Sequence, residues 1–159
     1  MTSVLVDRNI AALGDLVRLS DGVAETAAGI GDATTVTGST IDRGGFGNGS
    51  MPDSALLGVL YSATLGIGKT LSITATVQDS SDNATFADYS TVAATVAATA
   101  PSGGGIVHGE YNVPVNLRSA RRYIRFNYMP DLSATATDTS VTCSAGFFAG
   151  FDRLPASNN

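Results

Sequence analysis

Thr70-Leu71-Ser72-Ile73-Thr74-Ala75-Thr76-Val77-Gln78-Asp79 alternates from end to end. Leu71, Ile73, Ala75 and Val77 fall on one side, and Ser72, Thr74, Thr76 and Gln78 on the other. Side chains of an extended backbone project to opposite faces with a period of two, so this run makes a strand with one face in a core and the other in water. Its β-branched residues suit the pleat. Asp79-Ser80-Ser81-Asp82-Asn83 then ends the strand as a turn, because short polar side chains hydrogen-bond their own backbone.

The same reading extends in both directions. Residues 86–99 form one long strand or two short ones, and 101–105 are a loop. In 106–117, Val107, Tyr111, Val113, Val115 and Leu117 point inward and His108, Glu110, Asn112, Pro114 and Asn116 outward. Pro114 cannot donate a ladder hydrogen bond, which places it on an edge strand or at a bulge. In 121–129, Ile124, Phe126 and Tyr128 share one face and Arg121, Tyr123, Arg125 and Asn127 the other. Residues 139–151 close the set, with Val141, Cys143, Ala145 and Phe147 together on the face read as the core side. Upstream, Ala55-Leu56-Leu57-Gly58-Val59-Leu60-Tyr61-Ser62-Ala63 is apolar on both faces and reads as a fully buried strand. The glycines and Pro52 of residues 43–53 exclude helix and central strand there.

Six to eight strands separated by turn signals predict an all-β fold, an antiparallel β-sandwich or barrel, with the jelly roll as one way of managing its edges. Residues 1–35 read differently. Ile10, Leu13, Leu16, Val17 and Leu19 fall loosely at helical spacing, with Asp7 or Asn9 as a cap. This predicts a short helix packed on its own domain or an arm reaching a neighbouring subunit. The expected organisation is an N-terminal arm or helix over 1–35, a β-sandwich domain over 36–155 and a disordered tail over 156–159.

The chain has 159 residues, of which 14% are charged and 43% hydrophobic. That length suffices for a core without disulfides or metal. The formal net charge of −5 gives no bulk attraction to nucleic acid. A single cysteine, Cys143, excludes an intramolecular disulfide and a Cys-based zinc site. No run of about 18 apolar residues predicts a transmembrane helix, and the N-terminus lacks the pattern of a secretory signal, so synthesis in a cytoplasm is expected.

The motifs that carry chemistry are incomplete. Gly66-Ile67-Gly68-Lys69-Thr70 ends like a phosphate-binding loop, but Ala63 stands where that loop needs glycine and a strand follows in place of a helix. A hairpin turn with an exposed Lys69 is the expectation. His108-Gly109-Glu110 matches half of a zinc-deaminase signature whose other half needs two cysteines. Cys143 reads as a small apolar core residue. Asp79, Asp82 and Asn83 lack EF-hand spacing and read as a plain turn. No catalytic residue, cofactor site, metal site or small-molecule substrate is expected, although a carboxylate-only hydrolase leaves no sequence signature to test.

Four of the nine basic residues crowd together as Arg118, Arg121, Arg122 and Arg125. Arg121 and Arg125 flank Tyr123 on one strand face, a combination enriched at protein interfaces. The alternatives are a solvated strand with local acidic partners and nucleic-acid binding by a local basic patch, which the acidic balance of the chain weakens. With Arg43 and Phe46 of the glycine-rich loop, Arg118, Arg121, Tyr123 and Arg125 make the expected contact surface.

An alternating strand, then Ser80-Ser81-Asp82 and Phe86, then Gly109 to Leu117, then Arg122-Tyr123-Ile124-Arg125 and a strand rich in Ala, Gly and Phe form an ordered pattern over residues 40–152. It resembles the capsid cement (decoration) proteins of short-tailed phages, such as that of a Bordetella phage. The resemblance implies a jelly roll, a homotrimer on the outer surface of the phage head, contact with the major capsid protein, and no chemistry, membrane or nucleic acid. The long glycine-rich loop and the Thr/Ala-rich stretch 131–140 depart from that pattern. The rival expectations are another virion part, such as a head-fibre base or tail or collar protein, and a carbohydrate-binding β-sandwich. The second is disfavoured by the lack of tryptophan for stacking sugars.

Overall fold

A computed structural model describes residues 14–46 and 51–150. Among these, ten strands form two sheets: β1 (Gly14–Arg18), β2 (Val23–Thr26), β3 (Val36–Thr37), β4 (Ile41–Asp42), β5 (Ser54–Leu65), β6 (Thr70–Ser80), β7 (Ala87–Thr99), β8 (Gly105–Asn116), β9 (Tyr123–Leu132) and β10 (Thr139–Ala149). Sheet A runs β1-β10-β5-β8, with β2 also on β10. Sheet B runs β3-β9-β6-β7, with β4 also on β9. All the ladders are antiparallel.

Counting β1 with β2, and β3 with β4, as interrupted edge strands leaves four strand positions in each sheet. Apart from the links inside those pairs, only the β6–β7 hairpin joins neighbours within a sheet; every other connection crosses between sheets. That is the jelly-roll arrangement. The expected all-β sandwich is therefore present. The β5–β6 link is one of the crossings, so Gly66 to Lys69 is an inter-sheet turn rather than the expected hairpin. Lys69 N–H donates to Gly66 O (3.0 Å), and Gly68 takes the positive φ (+71°) that the third position of a type II turn requires.

The core lies between the sheets. β6 buries Leu71, Ile73, Ala75 and Val77, and β9 buries Ile124, Phe126 and Tyr128, as their alternation predicts. Val113, Val115 and Leu117 come in from the β8 side, with Leu57 and Val59 of β5. β8 is an edge strand, which accommodates Pro114 without a bulge. Residues 86–99 make one long strand, β7, at the edge of sheet B.

Three further expectations are corrected. Residues 14–18 and 23–26, expected within a helix or arm, are strands hydrogen-bonded to β10; residues 1–13 and the expected tail 156–159 lie outside those described. The backbone groups on that side of β10 need partners, and pairing with them outweighs a weak helical periodicity. Leu19 enters the core while Leu16 stays outside. Ala55 to Ala63 is not buried on both faces: Leu56 and Leu60 point outward. β10 is reversed relative to its reading. Ser140, Thr142, Ser144 and Phe148 are buried, while Val141, Cys143, Ala145 and Phe147 line the outer face.

The reversal of β10 has a cause inside the sandwich. Glu25 of β2 is buried and accepts hydrogen bonds from Ser140 Oγ and from Thr142 Oγ1 (2.5 Å). Since Thr142 spends its proton on the carboxylate, Tyr128 must donate to Thr142 (3.0 Å) and Ser20 to Tyr128 (3.4 Å). Ser144 Oγ and N–H in turn donate to Ser20 (2.9 Å each). The inward hydroxyls form a chain with one direction, ending on Glu25. Burial raises the Glu25 pKa, partly offset by the two hydroxyl donors.

Candidate interaction surface

The arginine cluster is placed together as expected, at the loop before β9 and along that strand, but its charges are met from within the chain. Arg118 Nε reaches Asp53 (3.1 Å) and Arg121 Nε reaches Asp79 (3.0 Å). The Arg121 N–H also donates to the Asp79 carboxylate (2.8 Å). Arg122 grips Asp42 with two parallel bonds of 2.9 and 2.8 Å, which hold the Asp42 carboxyl below its ordinary pKa. Arg125 Nε donates to Gln78 (2.7 Å), and its guanidinium lies 4.1 Å from the Phe86 ring centroid. Tyr123 opens β9 on the outer face of sheet B with the Arg122 guanidinium 5.2 Å above its ring. Three aspartates against four arginines leave little field to steer an anionic partner.

Arg43 is buried, with its guanidinium donating to the carbonyls of Pro52 (2.7 Å), Ala120 and Arg121 (3.1 Å). It fastens the loop after β4 to the start of β9. Phe46 packs on the core, 5.2 Å from the Phe148 ring. Of the glycine-rich loop, residues 47–50 lie outside those described.

The outer face of sheet A has the opposite character. Rows of side chains run across its strands by register. One row is Leu16-Phe147-Leu56-Pro114; the next is Arg18-Ala145-Gly58-Asn112; then come Cys143-Leu60-Glu110 and Val141-Ser62-His108. Leu16 (76%), Leu56 (45%), Leu60 (46%) and Val141 (51%) stand exposed on it. The small Ala145 and Gly58 lie in a depression of about 160 Å³ lined by Leu16, Leu56, Leu60 and Phe147 and, on the β8 side, by Glu110 and Asn112. The outer face of sheet B carries Ser72, Thr74, Thr76 and Gln78 along β6 and Arg125 and Asn127 along β9. A contiguous apolar face on one side only is the mark of a docking surface rather than of scattered exposed hydrophobics.

Sequence reasoning missed this surface because it assigned those apolar residues to the core. On β10 the positions between them are Ser140, Thr142 and Ser144, whose alternation with apolar residues reads as a wet face, and their buried acceptors, Glu25 and Ser20, are remote in sequence.

His108 and Cys143 both lie on this outer face, in different rows. Asp79 and Asp82, weighed as calcium ligands, serve different partners. Asp79 holds Arg121, and Asp82 Oδ1 accepts from Ser80 Oγ (2.8 Å) and from the N–H groups of Ala84 and Thr85 (2.9 Å each). Among the described residues no group of three or more His, Cys, Asp or Glu side chains is placed to hold a metal ion, and no helix is long and apolar enough to cross a membrane.

No protein-family model matches the sequence, and no curated protein matches it. Solved structures share the fold at low similarity. A chain of infectious bursal disease virus, Gx strain, is 12% identical with a TM-score of 0.46, covering 88% of this chain and 33% of its own. The VP2 subviral particle of the same virus is 12% identical with a TM-score of 0.44, covering 98% and 39%. Dimeric latent PorU from Porphyromonas gingivalis is 12% identical with a TM-score of 0.37, covering 86% and 13%. The chain thus spans a third or so of the viral chains it matches. Likenesses at this level concern the fold and carry no functional assignment.

Proposed function

We propose that the chain is a structural protein of a virion, a capsid cement or decoration protein without enzymatic activity. It binds the outer surface of a phage head as a homotrimer, contacts the major capsid protein and ties neighbouring capsomers together. The sequence pattern over residues 40–152 motivates this reading, and the exposed apolar outer face of sheet A is the observation that carries it. A cement protein needs a rigid scaffold that presents a contact surface; it needs no reacting groups. Repeated weak contacts suffice, since linked sites raise avidity by about 10²–10⁴, and binding only the mature lattice stabilises it by mass action.

The test is co-sedimentation of the purified chain with mature heads stripped of accessory proteins. Saturation at hundreds of copies per head, with heads that better resist heat, is the expected result. A handful of copies would favour a head-fibre base or a tail or collar part, and no binding would end the virion reading.

A further inference from the structure

Asn127 is out of keeping with its surroundings. It stands on the outer face of sheet B between Arg125 and Met129, both half-buried, yet it is only 7% exposed. It lines a depression of about 230 Å³ together with Thr74, Thr76, Gln78 and Asp88, with Thr35 and Met129 on the β3–β9 side.

The hydrogen bonds around Asn127 have a fixed direction. Arg125 Nε can only donate, so the Gln78 atom 2.7 Å from it is the carbonyl oxygen. As a carboxylate Asp88 can only accept, so the Gln78 atom 2.6 Å from its Oδ1 is the amide nitrogen. Asn127 therefore turns its own nitrogen to Gln78 Oε1 (3.0 Å). Its Oδ1 is left buried without a hydrogen-bond partner. Buried polar atoms in native proteins nearly always have partners, so the missing donor has to come from something seated in the depression.

The lining selects the chemistry of that occupant. Gln78 Oε1 is already taken twice. The site offers acceptors at Asn127 Oδ1 and at the second oxygen of Asp88, and hydroxyls that work either way on Thr35, Thr74 and Thr76. No lysine or arginine lines it, and Asp88 repels an anion. One carboxylate is too few ligands for a divalent metal ion. An apolar ligand would strand the polar lining. What fits is a neutral ring with several hydroxyl donors and an apolar patch to lie against Met129, which describes a sugar. The volume falls below the roughly 300–1,000 Å³ of larger ligand sites, which suits one ring rather than an oligosaccharide. The lack of tryptophan counts against a stacking platform, not against a pocket built from hydrogen bonds.

We propose that this depression binds a single neutral sugar ring, with Asp88 and Asn127 accepting from its hydroxyls and Thr74 and Thr76 completing the contacts. Sugar binding by sheet B does not depend on the cement reading. Where both hold, the sandwich docks by sheet A and the sugar site, on the opposite face, points away from the head. Each bound copy then adds one weak site, and repetition supplies avidity.

The test is titration of the isotope-labelled full chain, followed by its backbone and side-chain amide resonances. The probes are glucose, galactose, mannose, rhamnose and N-acetylglucosamine at tens of millimolar, with glucosamine and N-acetylneuraminic acid as cationic and anionic comparisons. At least one neutral sugar should shift the Thr76 backbone amide and the Gln78 and Asn127 side-chain amides, and saturate. Thr76→Val should weaken that binding about 2- to 10-fold, as for one hydrogen bond, and Asp88→Ala more than about 10-fold, as for a charged acceptor. Thr64→Val, exposed at the end of β5 in sheet A, should bind like the wild type. No saturable shift with any neutral sugar overturns the site, as do shifts that Thr76→Val and Asp88→Ala both leave unchanged. A response to glucosamine alone would make it a site for a cation and overturn it too. Asp88→Ala should still saturate stripped heads as the wild type does, so failure of sugar binding and failure of head binding are told apart.

Discussion

Glu25 shows how a single residue sets the orientation of a strand. Its carboxylate accepts hydrogen bonds from the Ser140 and Thr142 hydroxyls, so those side chains turn inward and Val141, Cys143 and Ala145 turn out. Glu25→Ala would leave buried hydroxyls without an acceptor, at about 1–3 kcal/mol measured by urea unfolding at pH 7. Because burial raises the Glu25 pKa above its unfolded value, its protonated form favours folding. That contribution is full below about pH 4.5 and is lost as pH rises through the folded pKa. Glu25→Gln should therefore remove part of the decline in stability between acid and neutral pH; a wild-type and variant pair with parallel profiles would contradict this. Little of this was legible in the sequence. Glu25 stands more than a hundred residues from its donors, and alternation cannot tell a core made of hydroxyls from a wet face.

At the level of single elements, the strands whose sequence alternates apolar with polar, β6, β8 and β9, were legible residue by residue. The reading failed in β5, where both faces carry apolar side chains, in β10, whose buried face carries hydroxyls, and in β1 and β2, where a weak helical spacing misled. β7 illustrates a different limit. Its pairing with β6 slips three times, leaving Tyr89, Ala97 and one residue of the Ala93–Ala94 pair extra. Such bulges bend an edge strand and blunt its tendency to recruit another chain. Two are braced from elsewhere. The Tyr61 hydroxyl donates to Ala97 O (2.6 Å) and that of Tyr89 to Asn116 O (2.6 Å), tying β7 to sheet A. Gly109, facing Tyr61 on β8, leaves room for the phenol, where a Cβ would come within 2.4 Å of its oxygen. Tyr61→Phe should cost about 0.5–1.5 kcal/mol and speed amide exchange around Ala97 in β7. Unchanged exchange there would show that the brace is idle.

The β6–β7 turn carries its own acid sensitivity. Three donors hold Asp82 at a pKa of about 2, against 3.8 for the free side chain, with the backbone bond to Thr85 foremost. A lowered folded pKa contributes stability above about pH 3.8 and loses it as pH falls towards 2. Asp82→Ala should flatten that part of the acid profile of the hairpin, followed by exchange of the Ala84 and Thr85 amides.

Over the whole molecule, the two outer faces divide the labour. The face of sheet B is polar, and the arginines at its margin are engaged by the chain's own aspartates. The face of sheet A is apolar and open. The sandwich and its strand sequence could be read from turns and alternation, because those signals are local. Which side of the finished sandwich would be sticky could not, since it depends on which strand lies beside which.

The position of β10 has one more consequence, in the order of synthesis. This strand sits between β1 and β5, so it joins the opening of the described chain to its middle, yet it is the last of the described strands to leave the ribosome. Until it arrives, Glu25 has no donors from β10, β1 has no ladder, and Leu57 and Val59 lack part of their cover. A nascent chain can assemble β6, β7 and β9 beforehand, but sheet A closes only after translation of residue 149. Any truncation that removes β10 therefore takes away both the strand that completes the sandwich and half of the surface through which it meets other molecules.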